Sequence, residues 1–320
     1  MIAGALLLVL LRWGGVSVAD VRAALGKLEW RVYAGALALH VGIYLLRAWR
    51  FRVLLEGAGS GGFGAQLGVT LAYGMASIVL PAKVGELSYV VYAERVLGVE
   101  ARQALAVLVL ARVLDLATLA LGMGIACGVV ALAGGGPPEW MGTAALAALG
   151  LALVMFLVAW HGEWLVRVGV WCSRRLRVER WKLGARVVEK VESAGQALEE
   201  AARGSKMWGA VLLSVLAWLG VFGFCALLAQ GMGIGEVGFA EAVFGSGVAI
   251  VTSLLPLSAF ASFGTLEAGW VVGFGVFGVG REVALATGAG LHVVQLVNVV
   301  GLGVLGHVGM GVGGRRRAGK

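Results

Sequence analysis

Charge is what this sequence has least of. Lys, Arg, Asp and Glu together supply 14% of its 320 residues, where a soluble domain carries about 25%. That shortfall excludes an ordinary globular domain, which must clothe a large surface in polar groups. Cysteine is scarce too. Cys127, Cys172 and Cys225 are scattered without metal-ligand spacing, so buried thiols are expected rather than a disulfide or a zinc site. Only 4 prolines occur, so each break in an apolar run stands out. Long polar loops are missing. So are the motifs of catalysis and energy coupling: there is no HExxH, no GxSxG and no complete Walker A sequence, because Gly319-Lys320 lacks the following Ser or Thr. The stretch Gly233–Gly238 fits GxGxxG, but it joins two apolar runs with no βαβ unit around it. No enzyme, nucleotide-driven pump, cofactor or metal is expected.

What the chain has is apolar length. Hydrophobic residues make up 60% of it, against about 45–50% in soluble domains, and the mean hydropathy is +0.91. Several runs reach the roughly 17–25 residues that cross a bilayer as a helix. The expected fold is therefore all-α, a polytopic helical membrane protein. Helices are predicted over Met1–Leu11, Arg31–Leu46, Phe63–Leu80, Ala104–Ala133, Trp140–Trp160, Trp208–Gly231, Phe239–Leu255, Thr265–Val279 and Val283–Val308, with a turn at Gly134-Gly135-Gly136-Pro137-Pro138. The first is read as a short helix, from a trimmed start, and not as a secretory signal. Glycine is abundant at 53 residues. The run Gly301, Gly303, Gly306, Gly309 and Gly311 is expected to form a tight helix–helix interface.

The net charge of +8 invites a nucleic-acid reading, but its placement argues against one. The basic stretch from Arg167 to Arg186 and the tail Arg315-Arg316-Arg317 flank apolar spans, as the positive-inside rule requires of the cytoplasmic side. Residues 161–207 read as a cytoplasmic amphipathic segment within a single 1–320 transmembrane domain. Its first stretch, Glu163 to Lys182, interleaves Trp164, Trp171 and Trp181 with arginines.

Parity then constrains the topology. If 161–207 is cytoplasmic and every run crosses, Arg47, Arg50 and Arg52 fall outside, against the rule. The conflict disappears if Phe63–Leu80 dips in and returns at Pro81. The second half repeats the form, with Phe239–Leu255 broken at Pro256 before Thr265–Val279. Ser77-Ile-Val-Leu-Pro81 resembles Ser253-Leu-Leu-Pro256, and a glutamate follows each. The expectation is about six full crossings plus two Pro-broken re-entrant hairpins entering from opposite faces as an inverted repeat, with both termini cytoplasmic. Interrupted segments at matching places in two halves point to a transporter's binding site.

Ionisable residues inside apolar spans usually face a cavity or a partner. Lys83 and Glu86 follow the first break, and Glu86 is expected to pair with Lys83 or exchange a proton, or else both sit solvated at the hairpin's mouth. Arg112 and Asp115 share a helix face, as an ion pair or as members of a pathway. His40, Tyr44 and Arg47 line one face of their helix; Arg47 and Arg50 either snorkel to the interface or bind phosphate. Glu267 follows the second break with no local cation. Glu241 belongs at the membrane edge. His292, Gln295 and Asn298 form a stripe suited to helix–helix hydrogen bonds.

In the order LRAWRFRVLL, VLPAKVGE, ARVLD and LLPLSAFASFGTLE, the chain resembles the lysylphosphatidylglycerol synthetase transmembrane-region family, the flippase-like domain proteins that include the membrane half of the multiple peptide resistance factor. The likeness covers nearly the whole chain. Matching positions are Arg50, Pro81, Gly85, Glu86, Arg112, Asp115, Pro256, Ser258, Gly264 and Glu267. Lys83 stands where arginine is usual, no arginine follows Glu86 within Leu87-Ser88-Tyr89-Val90, and Ser262 replaces a turn glycine. A point charge thus replaces a planar fork at Lys83.

The resemblance implies a lipid flippase of the cytoplasmic membrane, moving phospholipids, hopanoids or polyprenyl-linked glycolipids. No aminoacyl-transferase domain is expected, and hence no synthesis of lysylphosphatidylglycerol. In this reading Arg47, Arg50 and Lys83 offer positive charge, and Glu86, Asp115 and Glu267 gate or carry protons, with Arg112 and Ser258 beside them. The alternatives are a non-transporting scaffold that docks a lipid-modifying or glycosyl-transferring enzyme on Glu163–Lys182, and an intramembrane enzyme using Glu86 or Glu267 as a base. A homo-oligomer fits either membrane role.

Overall fold

The computed structural model describes residues 17–55, 61–80, 85–133, 139–161, 171, 204–235, 237–254 and 264–318, the last with side chains as far as 311. Four expectations fall outside those residues: the Met1–Leu11 helix, the Gly134–Pro138 turn, the 161–207 segment apart from His161, Trp171 and its last residues, and the breaks themselves with Pro81, Lys83, Pro256 and Ser258.

Every element described is helical. The helices are α1 (Val18–Gly26), α2 (Trp30–Leu54), α3 (Phe63–Val79), α4 (Ser88–Tyr92), α5 (Ala101–Leu132), α6 (Trp140–Trp160), α7 (Ser205–Gly231), α8 (Phe239–Leu254), α9 (Thr265–Gly275) and α10 (Arg281–Ala318), with a π-helical turn at Ala93–Leu97 after α4. The protein is an all-α polytopic membrane protein: α2, α5, α6, α7 and α10 are long and apolar enough to span a bilayer. The helices α3 and α8, with 17 and 16 residues, are shorter. At 11 residues, α9 covers only about 16 Å of a hydrocarbon core about 30 Å thick.

Two of these helices were not anticipated. In α1, Ser17 and Asp20 form a capping box: the Ser17 amide and hydroxyl each donate to the Asp20 carboxylate at 2.7 Å, and the Asp20 amide donates to the Ser17 hydroxyl at 3.3 Å. Those bonds hold the exposed Asp20 carboxyl below its ordinary pKa. α4 is a single short turn after the first break. A further difference is that α2 runs to Leu54, eight residues past the expected end at Leu46. Arg47, Arg50 and Arg52 looked like a membrane boundary, but Arg50 is neutralised inside the protein and the helix continues through it.

Glycine sets which helices touch. A side chain at Gly220 would press on Ile43, and one at Gly231 on Leu28 and Val32, so α2 and α7 run antiparallel along their length. Gly124 against Leu149 joins α5 to α6. Gly245 packs on Gly273 and Thr252 on Gly269, and the Thr252 hydroxyl donates to the Thr265 carbonyl at 2.9 Å, which makes α8 and α9 an antiparallel pair. Gly85 lies against the Ala76 carbonyl, so the chain leaving α3 doubles back on that helix; any Cβ at 85 would overlap that backbone.

The expected small-residue interface on α10 is narrower than its five glycines suggested. Gly306 abuts the Gly68 carbonyl and Leu71, and Gly303 abuts Met75, both on α3. Gly301, Gly309 and Gly311 have open space where a Cβ would go. Leu146, Leu151, Leu153 and Leu157 on α6 are exposed, an outward apolar face that a soluble protein would not carry and that lipid tails cover.

This contrast gives a stability test within one helix. Gly306→Ala must push the backbones of α3 and α10 apart and is expected to cost about 1–3 kcal/mol, whereas Gly309→Ala is expected to change stability by less than about 1 kcal/mol. Thermal melting of the detergent-purified protein measures both, and equal shifts would contradict the packing.

Candidate functional site

The site is built on one stripe of α2. His40, Ile43, Tyr44, Arg47, Arg50 and Leu54 recur every three or four residues and so face inward together. Arg50 lies deepest, 1% exposed. Its Nη1 donates to Asp115 Oδ1 of α5 at 2.6 Å and to the Ser214 hydroxyl of α7 at 2.9 Å, and its Nη2 donates to Asp115 Oδ2 at 3.3 Å. This two-pronged geometry is what a guanidinium offers a carboxylate and an ammonium does not. Trp218 Nε1–H, one turn beyond Ser214, adds a donor to Asp115 Oδ1 at 3.1 Å.

Arg112 extends the cluster outward. Its Nη1 lies 3.2 Å from Asp115 Oδ2, its Nε lies 3.4 Å from Glu86 Oε2, and its Nη2 donates to the Tyr73 hydroxyl on α3. The same-face pairing of Arg112 with Asp115 is thus present. Glu86, expected to look to Lys83, has Arg112 as an ion-pair partner, with Lys83 outside the described residues. Arg50 neither snorkels nor stands free for a ligand, because Asp115 holds it. Five of the expected site residues, Arg47, Arg50, Glu86, Arg112 and Asp115, therefore come from three separate stretches to one region.

Arg47 differs from its neighbours. It is half-buried and, unlike Arg50 and Arg112, has no carboxylate at ion-pair distance among the described residues; its Nε, like theirs, is buried without a hydrogen-bond partner. It borders a cavity of about 170 Å³ together with His40, Ser246 and Ser253 of α8, Trp270 of α9 and Gln295 of α10. Trp218 belongs to the same wall, and on another side it lines a second, apolar chamber of about 370 Å³ between α5, α7 and α8, with Leu121, Ile125, Val215, Phe222 and Val243.

Glu267 lies behind the polar cavity, fully buried between the lining residues Leu266 and Trp270. Its Oε2 accepts the Gly264 amide at 2.8 Å. Gly264 has φ of 94°, a left-handed conformation that favours glycine, and this lets the chain turn into α9 with its amide aimed at the carboxylate. Oε1 lies 2.7 Å from His292 Nδ1 on α10. The partner that Glu267 lacks nearby in sequence is thus supplied 25 residues downstream. The other members of that stripe divide: Asn298 accepts from the Tyr33 hydroxyl at 3.0 Å and lies 3.3 Å from His40 Nδ1, while Gln295 faces the cavity.

Sequence reasoning missed Tyr73, Ser214 and Trp218. The last two carried a signal, being polar groups four apart in the apolar run of α7 and so on one face.

Removing one partner of the buried pair strands the other's charge. Asp115→Asn is expected to cost about 3–5 kcal/mol, and the apolar double variant Arg50→Met/Asp115→Leu to recover about half of that. Thermal melting with a retained-fold check by size-exclusion chromatography measures it; a double variant no better than Asp115→Asn would mean that Arg50 does not depend on Asp115.

The family model described as the lysylphosphatidylglycerol synthase TM region matches residues 1–303. No curated protein matches the chain, and no solved structure does. With 303 of 320 residues matched, the chain belongs to the lysylphosphatidylglycerol synthase transmembrane-region family.

Proposed function

We propose that this protein is a flippase-like lipid translocase that moves a lipid with an anionic or otherwise polar headgroup between leaflets and catalyses no covalent chemistry. One observation carries the reading: a partly polar cavity bordered by Arg47, which has no carboxylate at ion-pair distance among the described residues, and a largely apolar chamber both have Trp218 in their walls. A lipid needs both environments at once, since its headgroup must stay hydrogen-bonded while its tails stay in hydrocarbon. The headgroup crosses past Arg47, His40, Ser246 and Gln295, and an acyl chain lies against Val215 and Phe222. Lys83 and Ser258, polar residues at the two breaks in the sequence, are assigned to the same route. Glu267 with His292 is the group that gates it or carries a proton, and Glu86 gates its mouth. Phospholipids, hopanoids and polyprenyl-linked glycolipids all meet these requirements.

The packing supports an inverted repeat. If α2, α3, α4 and α5 of the first half correspond to α7, α8, α9 and α10 of the second, the contact of α3 with α10 has its counterpart in the contact of α8 with α5, and α2 meets its own equivalent, α7. In this reading α3 with its return at Gly85, and α8 with α9, are re-entrant hairpins from opposite faces. About six crossings of the cytoplasmic membrane remain, with both termini cytoplasmic.

Two measurements test this. In a chain freed of Cys127, Cys172 and Cys225, Ser77→Cys should react with an impermeant thiol reagent from the cytoplasmic face and Ser253→Cys from the opposite one. Labelling of both from one face would remove the inverted repeat. In proteoliposomes, headgroup crossing of a fluorescent phospholipid should exceed that of protein-free vesicles, and Glu267→Gln should slow it about tenfold, a change of about 1.4 kcal/mol in the barrier. Undiminished crossing in Glu267→Gln would take that carboxylate out of the mechanism.

A further inference from the structure

The charges of the site do not balance, and the imbalance lies in the cavity. Arg47, Arg50 and Arg112 face Asp115 and Glu86. Arg50 is forked onto Asp115, and Arg112 lies between Asp115 and Glu86. Arg47 remains, with no hydrogen bond or ion pair among the described residues and only a longer-range attraction to Asp115; its Nε, like those of Arg50 and Arg112, is closed off from solvent. A cation at that depth is costly without a counter-charge, and Arg47 has a cavity in front of it.

The two serines in the rest of that cavity direct their hydroxyl protons to carbonyls of their own helix, which leaves their oxygens as acceptors. His40, Ser246, Ser253 and Gln295 supply its polar atoms, and no carboxylate lines it among the described residues. Glu267, just behind the wall, spends both oxygens on Gly264 and His292. Residues 255–263, which follow Ser253 in the chain, contain neither Asp nor Glu, and among 81–84 the sole charge is Lys83. An ammonium group entering here would meet a guanidinium and no acid, whereas a phosphodiester would meet the planar donor fork that suits it.

Resting on the translocase reading, we infer that this cavity selects lipids whose headgroup is a phosphate with net negative charge and rejects the aminoacylated, net cationic headgroups after which the family is described. A lysyl ester adds ammonium groups that outnumber the phosphate, so the charge the cavity favours becomes the charge it repels. The phosphate must arrive as a lipid, because the apolar chamber beyond Trp218 holds its chain.

The test uses the full chain in phosphatidylcholine proteoliposomes with trace phosphatidylglycerol or lysylphosphatidylglycerol. Crossing of phosphatidylglycerol should be about tenfold faster, a difference of about 1.4 kcal/mol. Arg47→Gln should abolish that preference without lowering the melting temperature, and Arg47→Lys should keep some of it. If lysylphosphatidylglycerol crosses as fast or faster, the selectivity is overturned and the translocase stands. If neither lipid crosses, the translocase reading fails, and native mass spectrometry in detergent decides the inference alone. Retention of phosphatidylglycerol over its lysyl ester, lost in Arg47→Gln, upholds it. Equal retention overturns it, as does displacement of phosphatidylglycerol by millimolar inorganic phosphate, which would make the site one for a soluble anion.

Discussion

A guanidinium that is 1% exposed inside an apolar bundle dictates much of what surrounds it. Burying Arg50 demands a counter-ion and acceptors for its protons, and three helices take part: α2 carries the arginine, α5 the carboxylate, and α7 the Ser214 hydroxyl that accepts from Arg50 and the Trp218 indole that donates to the carboxylate, with only Arg50 Nε left unpartnered. The pair therefore acts as a registration point. Sliding α2 by one turn relative to α5 would separate the charges by about 5 Å and leave both unsatisfied. Apolar packing alone tolerates such slips far better, because lipid tails and leucine side chains are nearly equivalent surroundings. Arg112 then passes this constraint on to Glu86 and Tyr73, fixing Glu86 and α3 against the same centre.

Glycine does the complementary work. Short helices such as α8 and α9 have too little apolar length to be held by the bilayer, so they are held by each other through backbone approach at Gly245 and Gly273. At the first break Gly85 plays the same role against Ala76.

The fold class was legible because hydropathy is a sum over many residues, and the ends of α6 were read to the residue because Trp140 and Trp160 bound an uninterrupted run. The end of α2 was misread for a physical reason: polarity in sequence marks a membrane boundary only when the charge is solvated, and Arg50 is neutralised by a residue 65 positions away. The partner of Glu267 was hidden for the same reason, since His292 reaches it only once α9 and α10 pack. Intrahelical relations such as Arg112 with Asp115 were visible because periodicity encodes them. Neutralisation across helices is set by tertiary placement, which periodicity does not carry.

That distinction separates structural from functional charge on a single helix. Arg47 and Arg50 are three residues apart, share a face and are the same residue type, so no pattern rule tells them apart. Their surroundings do: Arg50 has a carboxylate on its fork, and Arg47 has a cavity. A fully compensated charge makes a rigid fixed point and has little left to offer a ligand. An uncompensated one holds the chain less firmly but keeps its electrostatic interaction for whatever enters. Asp115 makes no direct contact with Arg47, because its oxygens are already taken by Arg50, Arg112 and Trp218, although its charge still reaches Arg47 at longer range. The saturation of that carboxylate is what leaves Arg47 available, so the stability of the bundle and the positive character of the cavity follow from the same residue.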